Sequence, residues 1–116
     1  MADLNNTIVT AFNTEIDVVS NNLAASFTLA VEEADKYIVM IDNTSGGAAA
    51  TVTFAAGVGA NSDQGDLAVE VADAAKSIVQ LEGSRFKAAD GDIDVTGAIA
   101  TGGTLANCKV YVLAVK

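Results

Sequence analysis

The chain has no histidine, no proline and no tryptophan, one cysteine, and only six basic residues among 116. Each absence narrows what the protein can be. Histidine is the commonest general base near neutral pH and the commonest metal ligand, so both kinds of chemistry lose their usual carrier. A single cysteine, Cys108, excludes an intrachain disulfide. It lies beside a terminal β pattern, which predicts a buried small apolar side chain; a nucleophile would need an activating base. The lack of disulfides points to assembly in a reducing compartment. Aromatic residues make up 5% of the chain, four Phe and two Tyr. The core is therefore expected to be built from Val, Ile and Leu, residues that favour pleated, half-buried surfaces.

Basic charge is scarce in a particular way. Fifteen acids against six bases give a net charge of −9, and no base precedes Lys36. Such a surface repels phosphate backbones and anionic membranes, so neither nucleic acid nor membrane is expected as a partner. It suits a basic protein partner, and it also keeps a chain soluble. No apolar run approaches the length of a membrane-spanning helix. The opening MADLNNTIVTAFNTE lacks the basic and apolar regions of a secretory signal.

What remains is β patterning. The length fits one domain. Ile8 to Phe12 and Glu15 to Val19 are short, apolar-rich and polar-flanked. Leu23, Ala25, Phe27, Leu29 and Val31 share one parity, the period of a half-buried strand. Glu32 to Asp35 is an acidic turn, and Tyr37 to Ile41 is an almost unbroken apolar run that reads as a strand buried on both faces. Asp42 to Gly47 has strong turn chemistry, and Thr51 to Phe54 alternates again, so a hairpin is expected there.

Further on, Leu67, Val69 and Val71 alternate, Asp73 to Ala75 reads as a turn, and Ser77 to Leu81 as a strand. Ser84 to Lys87 is a brief edge segment with Phe86 inward and Arg85 and Lys87 flanking it in solvent. Ile93 and Val95 alternate with polar residues, Gly97 to Asn107 reads as a loop, and Lys109 to Lys116 as the closing strand with Val110 and Val112 on one face. About eight or nine short antiparallel strands without long helical patterns predict an all-β fold, a single β-sandwich of jelly-roll or Ig-like type. Residues 23–116 form the sandwich; residues 1–22 are an N-terminal arm or its first strand pair.

Three stretches invite a chemical reading. Asp90, Asp92 and Asp94 are spaced like the start of a calcium loop, but the sixth and twelfth positions hold Val95 and Thr101 in place of Gly and Glu. In a strand the three would line one solvent face. Gly57 to Ser62 loosely matches a phosphate-cradling loop but lacks the lysine and the third glycine. Arg85 and Lys87 are the one close pair of bases and form a candidate contact for an acidic partner. No catalytic, cofactor-binding or metal residue is nominated, and no enzyme activity or cofactor is expected.

The stretch YIVMIDNTSGGAAATVTFAAG, Tyr37 to Gly57, resembles a pattern of small tailed-phage virion proteins. An apolar strand there runs into Asn-Thr, a small-residue turn, Thr-Val-Thr and a glycine. The likeness continues through Gly65 to Val69, Lys76 to Leu81, Glu82 to Phe86 and Val110 to Val115, covering about residues 23–116. The chain departs from the simplest members in its Gly97 to Asn107 loop and its lack of proline. What the resemblance implies is a capsid decoration (cement) protein. Such a protein is a structural β-sandwich on the outside of a phage head, often a homotrimer bound to the major capsid protein and assembled in the host cytoplasm. A tail, baseplate or fibre-attachment component is the alternative within that class, and a carbohydrate-binding adhesive module the alternative outside it. The acidic N-terminal segment carries apolar Leu4, Ile8, Val9, Phe12 and Ile16. They are candidate partner contacts if the segment orders on a neighbour by adding a strand.

Overall fold

The computed structural model describes residues 2–4, 7–9, 21–29, 36–59, 62–89 and 92–115. They form ten strands: β1 Ala2–Leu4, β2 Thr7–Val9, β3 Asn21–Asn22, β4 Ser26–Leu29, β5 Lys36–Asp42, β6 Ala50–Phe54, β7 Leu67–Val71, β8 Lys76–Glu82, β9 Ile93–Ile99 and β10 Lys109–Val115. One helical turn, α1, spans Gly83–Phe86, and 3-10 turns span Ser62–Gln64 and Leu105–Asn107. Glu15 to Val19, the expected Glu32 to Asp35 turn and Asp90 lie outside the described residues.

The fold is a β-sandwich. One sheet has the order β1-β4-β9-β6-β7; the other has β2-β10-β5-β8, with β3 also paired to β10. Pairing is antiparallel throughout β3 to β10. Within that set every connection crosses to the other sheet except the β6–β7 hairpin. This is jelly-roll wiring; the Ig type keeps more consecutive strands paired in one sheet. The strands β1 and β2 pair in parallel, β1 with β4 and β2 with β10.

Period-2 alternation decides which side chains meet between the sheets. Phe27 and Leu29 of β4, Val52 and Phe54 of β6, and Ile93 and Val95 of β9 face inward from the first sheet, each at most 1% exposed. Tyr37, Val39 and Ile41 of β5, Leu81 of β8, and Val110 and Val112 of β10 answer them from the second. Each fully buried Val, Ile, Leu or Phe contributes about 1.5–3 kcal/mol relative to exposure, enough for an aliphatic core with few aromatics.

Several expectations are corrected. Tyr37 to Ile41 is not buried on both faces: Ile38 and Met40 are half-buried on the outside of the second sheet. Nor do β5 and β6 form a hairpin, because β5 pairs β10 and β8 while β6 pairs β9 and β7. The turn between them carries the chain from one sheet to the other. Ser84 to Lys87 is not an edge strand; α1 occupies it, closed by the Lys87 N–H donating to the Gly83 carbonyl at 3.0 Å. The expected loop at Gly97 to Asn107 begins later, since β9 runs through Ile99. In the first sheet, Ala25 is exposed and Thr28 is 6% exposed, the reverse of simple alternation around Phe27.

Candidate interaction surfaces

The N-terminal segment forms strands on its own chain. In the β1 register Leu4 lies opposite Leu29. In β2, Ile8 lies opposite Ala114 and Val9 opposite Val115. Phe12 and Ile16 lie outside the described residues. Both terminal strands are three residues long and occupy one edge of each sheet, while β7 and β8 hold the opposite edges.

Arg85 lies beside the start of β7, and Lys87 bridges Ile93 of β9. Arg85 is engaged within the fold. Its Nε donates to the Gly65 carbonyl at 3.1 Å and its terminal nitrogen to the Asp66 carbonyl at 3.3 Å. The guanidinium stacks over the Phe86 ring, 4.8 Å from the centroid, a cation–π contact. Phe86 is buried and meets Phe54 edge-on at 6.3 Å. Lys87 is half-buried, with its carbonyl accepting from the Val58 N–H at 2.9 Å. Together these contacts seat Val58 and Gly65 against α1.

A cavity of about 420 Å³ opens beside them, lined by Lys36, Tyr37, Leu67, Gln80, Glu82 and Arg85 among others. Its two aromatic residues, Tyr37 and Phe86, are 1% and 2% exposed, so neither ring is offered as a stacking platform for a sugar. Among the described residues no group of three or more acidic or cysteine side chains is placed to hold a metal ion.

The two outer faces differ in chemistry. On the first sheet, Ser26, Thr51, Thr53, Thr96 and Ala98 make a small, polar face, and the charged side chains described on it are Glu70 and Asp94. On the second sheet the registers of β10, β5 and β8 stack outward residues in rows. The first row is Lys109–Asp42–Lys76, the second Tyr111–Met40–Ile78, the third Leu113–Ile38–Gln80, and the fourth sets Lys36 opposite Glu82. An apolar strip thus lies between two charged rows, with Ile78 66% exposed at its edge. Among the described residues this face carries the bases Lys36, Lys76 and Lys109 and the acids Asp42 and Glu82. Lys109 Nζ also donates to Asn22 Oδ1. The Asp42 carboxyl is held below its ordinary value, first by the Thr44 hydroxyl and N–H that donate to it and further by nearby Lys76.

Asn43, which in sequence reads as turn chemistry, organises the end of the sandwich beneath the Asp42 row. Asn43 is 0% exposed. Its Nδ2 donates to the carbonyls of Ala48 at 2.8 Å and of Val71 and Ala72 at 3.1 Å. Its backbone N–H donates to Ala75 and its carbonyl accepts from Ala74. The one available signal was its place in an Asx-rich turn, which many exposed asparagines share.

With this geometry in hand, comparison with known proteins adds nothing further: no family model, no curated protein and no solved structure matches the chain.

Proposed function

We propose that the protein is a non-enzymatic structural component of a phage particle, binding the outside of the head and stabilising contacts between major capsid subunits. The reading is supported by the ordered resemblance to tailed-phage virion proteins along residues 23–116. A jelly roll serves viral shells and lectins alike, so fold by itself does not choose between them. The observation that carries the reading is the N-terminal segment. Ala2–Leu4 and Thr7–Val9 are short strands laid in parallel on the edges of two different sheets. Strand addition to an edge uses main-chain hydrogen bonds, and the same addition can be made on a neighbour's exposed edge. Repeated over many copies on a shell, modest contacts of this kind gain by multivalency.

Reconstruction of particles from the cell that makes this chain tests the proposal. Stoichiometric density for the sandwich on the shell exterior, touching two or more capsid subunits, is the expected result. Density on the tail would move the protein to a tail or baseplate role. A chain found in the cell and absent from every particle would overturn the reading.

A further inference from the structure

The outer face of the second sheet is complementary to itself. In a two-fold contact, residue i of one copy meets residue j of the other, and j meets i. With the axis along the strands, Asp42 would face its own copy and Lys109 would face Lys76, like charge on like. With the axis across the strands, between the second and third rows, the first and fourth rows exchange. Asp42 then faces Lys36 of the partner subunit and Lys76 faces Glu82 of the partner subunit, each pair occurring twice. In the middle Met40 lies over Ile38 of the partner subunit, and Tyr111 over Leu113 of the partner subunit.

We infer that this face joins two copies of the chain, sheet on sheet, about a two-fold axis crossing β5 at the level of Val39. Strands run antiparallel across the contact, and sheets packed this way lie about 10 Å apart with their strands within about 30° of alignment. The spacing leaves room for side chains of Met, Ile and Tyr size to interdigitate. Charge argues for a second copy as the occupant. Copies of a chain of net charge −9 repel one another, and this face, where Lys36 and Lys76 meet Asp42 and Glu82 of the partner subunit, is where that repulsion is replaced by attraction. Three strands and four rows cover about 15 by 20 Å. That is a small interface, so the association is weak and is sought at up to about 1 mM protein. The inference stands independently of whether the chain binds a particle.

Sedimentation of the intact protein over a concentration series at low and high salt is the test. The expected result is a concentration-dependent dimer that weakens with salt. Lys76→Glu and Glu82→Lys each set two like-charge contacts across the axis, and each is expected to weaken dimerisation at least about tenfold. Mixed in equal amounts, the two variants face each other with opposite charges at both places, and a heterodimer returns. Recovery on mixing also shows that both variants are folded. Ile78→Asp, at a site 66% exposed and set opposite Gln80 of the partner subunit, puts a charge into the middle of the contact by a separate route and is expected to shift the protein to monomer. A monomer throughout the range, an oligomer unmoved by the charge reversals, or a mixture that fails to recover would overturn the inference.

Discussion

The Cys108 thiol donates to Asn43 Oδ1 at 3.0 Å, with both residues 0% exposed. The bond ties the start of β10 to the turn leaving β5. Asn43 in turn reaches the carbonyls of Ala48, Val71 and Ala72, so one side chain joins the β5–β6 crossover, the end of β7 and β10. Gly46 lies against the same pair, and a Cβ there would overlap Asn43 Oδ1 and come within 2.8 Å of Cys108 Sγ.

Asn43→Leu removes the partner of the buried Val71 carbonyl, of the buried Cys108 thiol and of the Ala48 and Ala72 carbonyls. Unsatisfied buried polar groups cost about 1–3 kcal/mol each, so a loss of about 3 kcal/mol is expected. Urea denaturation of the variant beside the parent protein measures it. A loss below about 1 kcal/mol would show that the pin is dispensable.

Burial, and after it the Asp42 carboxylate, push the Cys108 thiol above its ordinary value of 9.0. A raised folded value means that the native state holds its proton after the unfolded state has released it. The stability linked to this thiol is therefore complete below about pH 9 and declines as pH rises beyond that. Cys108→Ala is expected to lack this component. Urea midpoints of both proteins between pH 7 and 10.5 check the difference. A thiol-specific reagent should modify Cys108 only at the rate of unfolding.

Thr44 supplies the two hydrogen bonds that lower the Asp42 pKa. A depressed folded value gives stability that is present above the unfolded value and is lost as pH falls through the folded one. Thr44→Val removes the hydroxyl donor and is expected to bring the Asp42 titration, followed by carboxyl NMR, up towards 3.8. An unchanged titration would show that the backbone N–H and Lys76 suffice.

At Gly57 an added Cβ would run into the Lys87 carbonyl, a backbone atom that cannot rotate aside. Gly57→Ala is therefore expected to cost about 3 kcal/mol or more, as overpacking against fixed structure does. Gly65 offers the comparison. It has open space around the Cβ position but a φ of +79°, so Gly65→Ala is expected to cost only the left-handed strain, about 1–2 kcal/mol. Thermal midpoints of the two variants should separate in that order.

Arg85→Ala removes both bonds to the Gly65 and Asp66 carbonyls and the stack on Phe86. The expected result is faster amide exchange in residues 57–66 at a global cost of about 1–2 kcal/mol. Arg85→Lys should not restore protection, because an ammonium lacks the planar fork that reaches both carbonyls while stacking. Exchange measured by mass spectrometry distinguishes the three proteins.

Legibility followed the length of each pattern. Val110 and Val112 against Tyr111 and Leu113 could be read correctly because alternation over a seven-residue strand has one consistent solution. α1 could not, since four residues hold barely one helical turn and look the same as an edge segment. The β5–β6 link reads as a hairpin in sequence because its turn residues suit any chain reversal, and only the competing partners β10 and β9 show that the strands part company. Arg85 and Lys87 drew attention as neighbouring bases, yet what Arg85 reaches is its own chain twenty residues away at Gly65.

By itself the sequence determined the class of structure. A chain rich in Val, Ile and small residues, with period-2 alternation and turn clusters, buries its apolar surface most readily as two packed sheets. It also determined that the protein is acidic and that Cys108 has no cysteine partner in the chain. Tertiary structure decided the rest, because each of these features depends on which distant strands become neighbours. The jelly-roll order, the burial of Asn43, and the charged rows that frame Met40 and Ile78 all follow from registers between segments dozens of residues apart. A strand carries its own alternation, but the chemistry of a face is set by the strands laid beside it.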